Sequence, residues 1–284
     1  MGDIIKLTIL FFTVSLLFPL LTKKRETKSV SRSVGRAVGG WVKTRKECDR
    51  YHTPRGDLYQ WNVCDEMLHQ THLLVGGTTG AGKSTLAHSI IWSLSAKNPL
   101  VAQFYGIDLK KVELRRWRSL PHCKGIATTP AEAIECLDLI NDIVDTRLSI
   151  MVRDGLAEYD GGHVYLIIDE LAELLSVDRK TVVDRLSRVM RLGRAARVHV
   201  IGFTQAPNRA KGGGLDPMLC QNFTAAVALR CRSAIESRQI IGIAGAESLP
   251  LHGTGIFWSG RGIRRIDIPI TDEAELNARV AAWA

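Results

Sequence analysis

The chain has 284 residues and a mass of 31.4 kDa, room for one large domain or two small ones with short appendages. With 45% hydrophobic and 24% charged residues, it is neither wholly disordered nor collagen-like nor fibrous. Lysine and arginine number 38 against 29 acidic residues, and the +9 balance points to a polyanion or an anionic membrane surface as partner.

From Ile4 to Leu21 the chain is almost continuously apolar, broken only by Lys6, Thr8, Thr13, Ser15 and Pro19. At about 1.5 Å per residue a helix of this length just reaches across a bilayer core. Lys23, Lys24 and Arg25 follow it directly, whereas a secretory signal carries its positive charge in front and a small-residue cleavage site behind. The expectation is a single-pass anchor over residues 1–22 in the cell membrane, with the bulk of the chain in the cytoplasm. An interfacial helix or an uncleaved signal-like segment are the alternatives. Residues 23–50 read as a basic linker, rich in Lys, Arg and Ser around Gly39-Gly40, with little to build a core. Its charge suits lipid headgroups or DNA, and equally a solvated tether. Residues 51–284 form the remaining domain. The six cysteines, Cys48, Cys64, Cys123, Cys136, Cys220 and Cys231, include no C-x-x-C pair and no zinc-finger spacing, and read as reduced thiols.

The strongest motif is Gly77-Thr78-Thr79-Gly80-Ala81-Gly82-Lys83-Ser84, a complete G-x-x-x-x-G-K-[ST] run. It follows the strand candidate His72-Leu73-Leu74-Val75 and precedes a helical pattern from Thr85 to Leu94. Glycines let successive backbone N–H groups converge on phosphate oxygens, and the helix N-terminus adds the positive end of its dipole. Thr78, Thr79, Gly80, Ala81, Gly82, Lys83, Ser84 and Thr85 are therefore the expected nucleotide contacts. Lys83 is placed on the β- and γ-phosphates of ATP and the Ser84 hydroxyl on Mg²⁺.

Further along, the apolar run Val164-Tyr165-Leu166-Ile167-Ile168 ends in Asp169-Glu170. A strand buried on both faces belongs in a parallel sheet, and ligands bind at the carboxyl ends of such strands. Asp169 is expected to hold Mg²⁺ through water, and Glu170 to act as general base on the attacking water. An acidic pair also suits an ordinary helix N-terminus. The helix candidate Thr181 to Ala196 shows an apolar face of Val182, Leu186, Val189 and Met190. Its arginines, Arg185, Arg188, Arg191 and Arg194, with Arg197 after it, drift around the axis at about 100° per residue, so they form no single DNA-facing stripe and divide between subunit contacts and solvent.

A third strand candidate, Val198 to Phe203, ends in Thr204-Gln205, where a polar pair can sense a γ-phosphate or merely cap the strand; His199 inside it reads as structural. Arg209, Lys211 and Gly212-Gly213-Gly214 come next, a flexible basic loop fit for a phosphate backbone or simply a surface loop. Strand candidates near His72, Val101, Val164, Val198, Phe223 and Thr254 alternate with helical stretches near Thr85, Ala131, Arg179 and Ser233. This argues an α/β fold with a mainly parallel sheet and a late antiparallel hairpin from Ile256 to Ile270.

Taken in order, Thr71 to Ser84, Ile107-Asp108-Leu109-Lys110, Ile168 to Leu174, Gly193 to His199, Thr204-Gln205, Glu236-Ser237-Arg238 and Gly245 to Leu249 resemble the motor domain of the FtsK/SpoIIIE DNA translocases. The likeness runs from about Asp57 to Thr271. It implies a RecA-like P-loop NTPase fold and a homo-oligomer, usually a hexameric ring, that moves double-stranded DNA at the expense of ATP. By position, Lys83, Ser84, Asp169 and Glu170 match the nucleotide and hydrolysis residues and Gln205 the sensor. Arg238 matches an arginine acting on a neighbouring subunit's site; the plainer reading pairs it with Glu236 or Glu247. Ala206 and Ala226 stand where the family often has arginine, which thins the phosphate contacts. With one anchor and no orientation-reading module expected, the layout resembles the compact transfer ATPases of plasmids and integrative elements. The sequence thus leads to a membrane-anchored double-stranded DNA translocase for conjugative transfer. A viral genome-packaging ATPase and a non-translocating, nucleotide-dependent scaffold are the alternatives.

Overall fold

The computed structural model describes residues 61–205 and 215–268, with Ala274, Asn277, Ala278, Val280 and Ala281 of a C-terminal helical stretch. The apolar run 4–21, the basic linker, Ala206, Arg209, Lys211 and Gly212 to Gly214 lie outside the described residues. Among the described residues, no helix is long and apolar enough to cross a membrane.

Apolar runs of four to seven residues alternate here with helical segments, and the strands pair through crossovers. In chain order the elements are α1 (Trp61–Leu68), β1 (His72–Gly76), α2 (Lys83–Ser95), β2 (Ala102–Ile107), a 3₁₀ turn (Arg115–Trp117), β3 (Cys123–Ala127), α3 (Pro130–Asp154), β4 (His163–Ile168), α4 (Leu171–Val177) and α5 (Arg179–Ala196). There follow β5 (Val198–Thr204), α6 (Pro217–Asn222), β6 (Ala225–Ala228), α7 (Ala234–Ile241), a 3₁₀ turn (Ala246–Ser248), β7 (Thr254–Ser259) and β8 (Gly262–Asp267). The eight strands form one sheet in the order β3-β2-β4-β5-β1-β6-β7-β8. Pairing is parallel from β3 through β6 and antiparallel at β6–β7 and β7–β8, as the alternating pattern and late hairpin lead one to expect.

Both faces of the sheet are covered, which is why the central strands are apolar without interruption. In β1 the period of two sends Leu73 and Val75 to one layer with Leu86 and Ile90 of α2, and Leu74 to the other layer with Leu186 and Val189 of α5. Phe104, Phe203 and Phe257 fill the first layer. The apolar face expected on α5 is found: Val182, Leu186, Val189 and Met190 are all buried.

Helix α3 carries its own start and stop signals. The Thr129 hydroxyl accepts the Glu132 N–H at 3.3 Å, Pro130 opens the first turn, and Gly155 ends the helix at φ 65°. Its acidic face answers the arginines of α5. Arg185 pairs with Asp138, Arg188 with Asn141 and Asp145, and Arg197 with Glu158 in the loop after α3. Arg185, Arg188 and Arg197 therefore serve contacts inside the chain, where the sequence offered only subunit contacts and solvent, while Arg191 and Arg194 are exposed. Gly193 of α5 has a different duty: a Cβ there would lie 2.3 Å from the Val198 carbonyl oxygen, so the chain can reverse into β5 only with glycine at that point.

At the amino ends of β1, β4 and β5 three histidines gather. His72 Nε2 donates to the Met190 carbonyl at 2.9 Å while its Nδ1 accepts the Val200 N–H at 3.1 Å. His199 Nδ1 lies 3.1 Å from the Thr71 carbonyl oxygen, which can only accept, so Nδ1 carries the proton. His199 Nε2 then accepts from His163 Nδ1 at 2.8 Å. The structural reading of His199 holds, and its imidazole also stacks on Tyr165 with ring centres 4.8 Å apart.

Candidate functional site

Because β2, β4, β5 and β1 are neighbours and run parallel, their carboxyl ends open on the same edge of the sheet. That edge collects, side by side, Asp108 after β2, Asp169 and Glu170 after β4, Gln205 after β5 and the glycine loop after β1. Registers fix the spacing: Ile107 stands opposite Ile168, Ile168 opposite Gly202, and Gly76 opposite Thr204.

The glycine loop leaves β1 anchored on both sides. Gly77 N–H donates to the Thr204 carbonyl at 3.3 Å and Thr78 N–H to the Arg230 carbonyl at 2.8 Å. Gly80 and Gly82 have φ of 78° and 98°, left-handed values that turn the backbone into α2. The helix starts at Lys83, two residues before the expected Thr85, so Lys83, Ser84 and Thr85 are its first turn. Free N–H groups of a first turn form an anion-binding surface. Thr79 and Gly80 are exposed, Thr78, Gly82, Ser84 and Thr85 half-buried, and Ala81 buried.

The buried Lys83 ammonium donates to the carbonyl oxygens of Gly77 and Thr78, each at 2.8 Å. Burial lowers its pKa, opposed by the charges of Glu170 and Asp169. The Glu170 carboxylate, 8% exposed, caps α4 by accepting the Ala172 N–H at 3.4 Å and also accepts the Gln205 backbone N–H. Gln205 reaches the loop in turn: the Thr79 hydroxyl donates to its side-chain oxygen at 3.0 Å. Asp169 is half-buried, and its carboxyl is pushed up to about 7 by burial first and then by Asp108 and Glu113.

The structure thus brings together Lys83, Ser84, Asp169, Glu170 and Gln205. Arg238 is not part of this cluster; it is exposed, in the last turn of α7. Of its plainer partners, Glu236 accepts the Arg232 N–H and Glu247 the Gly245 N–H, both at 2.8 Å, and the Arg238 charge also acts on Glu247. Helix α7 nonetheless packs on the end of β1, just before the loop, for a Cβ on Gly76 would lie 2.3 Å from Ile240 Cδ1.

Two residues at this edge received no role from the sequence, although the motif Ile107 to Lys110 contains both. Lys110 Nζ lies 3.9 Å from Glu170 Oε2, and its charge acts on Lys83 and Asp169. Asp108 is fully buried; one carboxylate oxygen accepts the Leu114 N–H at 2.9 Å and the other has no hydrogen-bond partner among the described residues. A polar residue just past an apolar strand was the available signal, but only the sheet order sets β2 beside β4.

The FtsK/SpoIIIE family model matches residues 54–166. The DNA translocase FtsK of Chlorobaculum tepidum is 30% identical over 239 residues, 76% of this chain and 29% of that protein. That of Helicobacter pylori is 31% identical over 222 residues, covering 72% and 26%. The chain therefore spans less than a third of the length of these curated relatives. Among solved structures, the pCW3 conjugation coupling protein TcpA superposes with a TM-score of 0.65 at 21% identity, over 76% of this chain and 66% of TcpA. The cytoplasmic domain of the Thermomonospora curvata type VII secretion ATPase EccC gives 0.63 at 24% identity, over 75% of this chain and 28% of EccC. These two likenesses bear on the fold. With the sequence relatives and the glycine loop in place, the chain carries a P-loop ATPase domain of the FtsK/SpoIIIE family.

Proposed function

We propose that the chain is an ATP-driven translocase of double-stranded DNA. The observation that carries this reading is the convergence of Lys83, Asp169, Glu170 and Gln205 on the glycine loop at a single sheet edge, in a family whose relatives bear the name DNA translocase. The loop amides and Lys83 would bind the phosphates of ATP, with Thr78 to Thr85 as contacts. Mg²⁺ fits the donor set: the Ser84 hydroxyl and the Asp169 carboxylate are hard oxygen ligands, and the crowded negative charge at Asp169 favours a cation. Ser84 would bind it directly and Asp169 through water; when bound, it would neutralise charge on the phosphates. Glu170 would take a proton from water, whose oxygen attacks the γ-phosphorus as the bond to the β–γ bridging oxygen breaks, leaving ADP and phosphate. Gln205 would report the γ-phosphate to the residues that follow it, and Arg209 and Lys211 among them would hold the DNA backbone.

Arg238 is assigned to the site of a neighbouring subunit in a ring, taken as hexameric. Residues 1–22 are assigned to a membrane anchor that holds the ATPase domain on the cytoplasmic side. Its support is the apolar run closed by Lys23, Lys24 and Arg25, and extraction of the chain from membranes only by detergent is the expected result. Conjugative transfer is the proposed setting, in keeping with the fold of the pCW3 coupling protein.

The test is ATP turnover by the full chain with and without duplex DNA, together with displacement of a third strand from a triplex. Duplex-stimulated turnover with displacement is expected. Turnover indifferent to duplex at low salt would leave the nucleotide-dependent scaffold as the better account, and stimulation by single strands alone would change the substrate.

A further inference from the structure

Asp108 is buried more completely than any other carboxylate at this edge, at 0% exposure. Half of its hydrogen bonding is accounted for by the loop it begins, since one oxygen accepts the Leu114 N–H at 2.9 Å. The second oxygen, Oδ1, is buried without a hydrogen-bond partner among the described residues. A loop cap needs one acceptor and an asparagine supplies it, so the cap explains neither the negative charge nor the free oxygen.

The neighbouring strand ends in a second carboxylate. Ile107 is paired with Ile168 in parallel register, so the residues that follow, Asp108 and Asp169, leave adjacent strands at the same level, about 4.8 Å apart across the sheet. Lys110 offsets only part of this negative charge, since it also lies 3.9 Å from Glu170 Oε2. A buried carboxylate with an unused oxygen, beside a strand end that carries a half-buried one, calls for a cation or its water ligands.

On the ATPase reading above, we propose that Asp108 is a positioning residue for the divalent cation, its Oδ1 accepting hydrogen bonds from the cation's water ligands together with Asp169. Asp108 does not touch the nucleotide. Its removal should weaken the cation's hold on the site while leaving the loop that binds phosphate intact.

The experiment uses the full chain and a fluorescent, non-hydrolysable ATP analogue titrated with Mg²⁺. Asp108→Asn retains an acceptor for the Leu114 N–H, removes the charge and replaces the free oxygen by an NH₂ donor. The Mg²⁺ concentration for half-maximal analogue binding should rise about 10-fold or more, the range seen when an outer partner of a metal site is lost. The melting midpoint without nucleotide should stay the same or rise, as repulsion with Asp169 is relieved. An unchanged Mg²⁺ requirement in this variant confines Asp108 to capping its loop and overturns the proposal. A measurement on the parent chain guards against misfolding of the variant: Fe²⁺ replacing Mg²⁺ in the analogue complex, with peroxide, should cleave the backbone around residue 108 as well as around 169. Cleavage at 84 and 169 alone also overturns it. If the parent binds no analogue with Mg²⁺, the ATPase reading falls first; normal parental binding with an unaltered variant removes Asp108 only.

Discussion

Both carboxylate oxygens of Glu170 accept the one backbone N–H of Gln205, at 3.2 and 3.1 Å. The side chain of the same Gln205 accepts from the Thr79 hydroxyl, so the end of β5 ties the candidate base to the phosphate loop. A displacement of Gln205 therefore moves Glu170 and the loop together.

This geometry separates the roles of Lys83 and Glu170. Glu170→Gln keeps an amide oxygen to receive the Gln205 N–H but cannot take a proton from water. ATP should still bind, and turnover should fall by about 100-fold or more, the usual share of a general base. Lys83→Ala removes a charge-assisted contact and should weaken ATP binding by about 10-fold to 100-fold as well as turnover. Equilibrium binding and steady-state turnover measured on the same proteins decide the matter. Parental turnover in Glu170→Gln would remove Glu170 from the mechanism.

Gln205→Ala tests the second half of the link. The backbone N–H remains, so Glu170 stays in place, while the Thr79 contact is lost. If Gln205 acts on the γ-phosphate during the reaction, kcat should drop by about 10-fold or more with KM nearly constant. A raised KM at constant kcat would mean that Gln205 contributes only to binding.

Legibility followed locality. The phosphate loop was readable because its geometry is set by contiguous residues, with glycines at the left-handed positions 80 and 82. Asp169 and Gln205 were readable as polar ends of apolar runs. Asp108 ends a strand in the same way, yet its meaning depends on β2 lying beside β4, and a crossover connection hides that from a linear reading. Strand β3, reading Cys-Lys-Gly-Ile-Ala, escaped notice because it is an edge strand with only Ile126 and Ala127 buried. The pairing of Arg185 and Arg188 was hidden for a related reason: their partners Asp138 and Asp145 sit 47 and 43 residues away on α3.

Arg238 is exposed, and its helix packs through Ile240 on Gly76 at the start of the phosphate loop. If it acts on a neighbouring subunit, its loss should cost about 1,000-fold or more in turnover, as for arginine fingers generally. Arg238→Ala and Lys83→Ala chains, each nearly inactive alone, should regain turnover on mixing, because some mixed interfaces combine an intact Lys83 with an intact Arg238. Mixed assemblies verified by two affinity tags and showing no recovery would count against a role in trans.

The histidine cluster makes a prediction about pH that does not involve the nucleotide. Burial lowers the pKa of His72 to about 4 and that of His199 to about 3, His199 being further lowered by its histidine neighbours. Unfolded, both titrate near 6.5, so below that pH the unfolded chain binds protons that the folded chain refuses. Their contribution is complete above pH 6.5 and shrinks as pH falls toward 4, with a slope approaching about 1.4 kcal/mol per pH unit for each histidine. Protonating His199 would also set an N–H against the N–H of His163, which the present tautomers avoid. His199→Asn keeps a donor for the Thr71 carbonyl and an acceptor for His163 but takes up no proton. The full chain should therefore lose stability between pH 7 and 5, followed by urea midpoints, and the variant should lose less across the same interval even if it starts lower. Equal slopes for the two proteins would show that His199 is not one of the groups through which acid destabilises the fold.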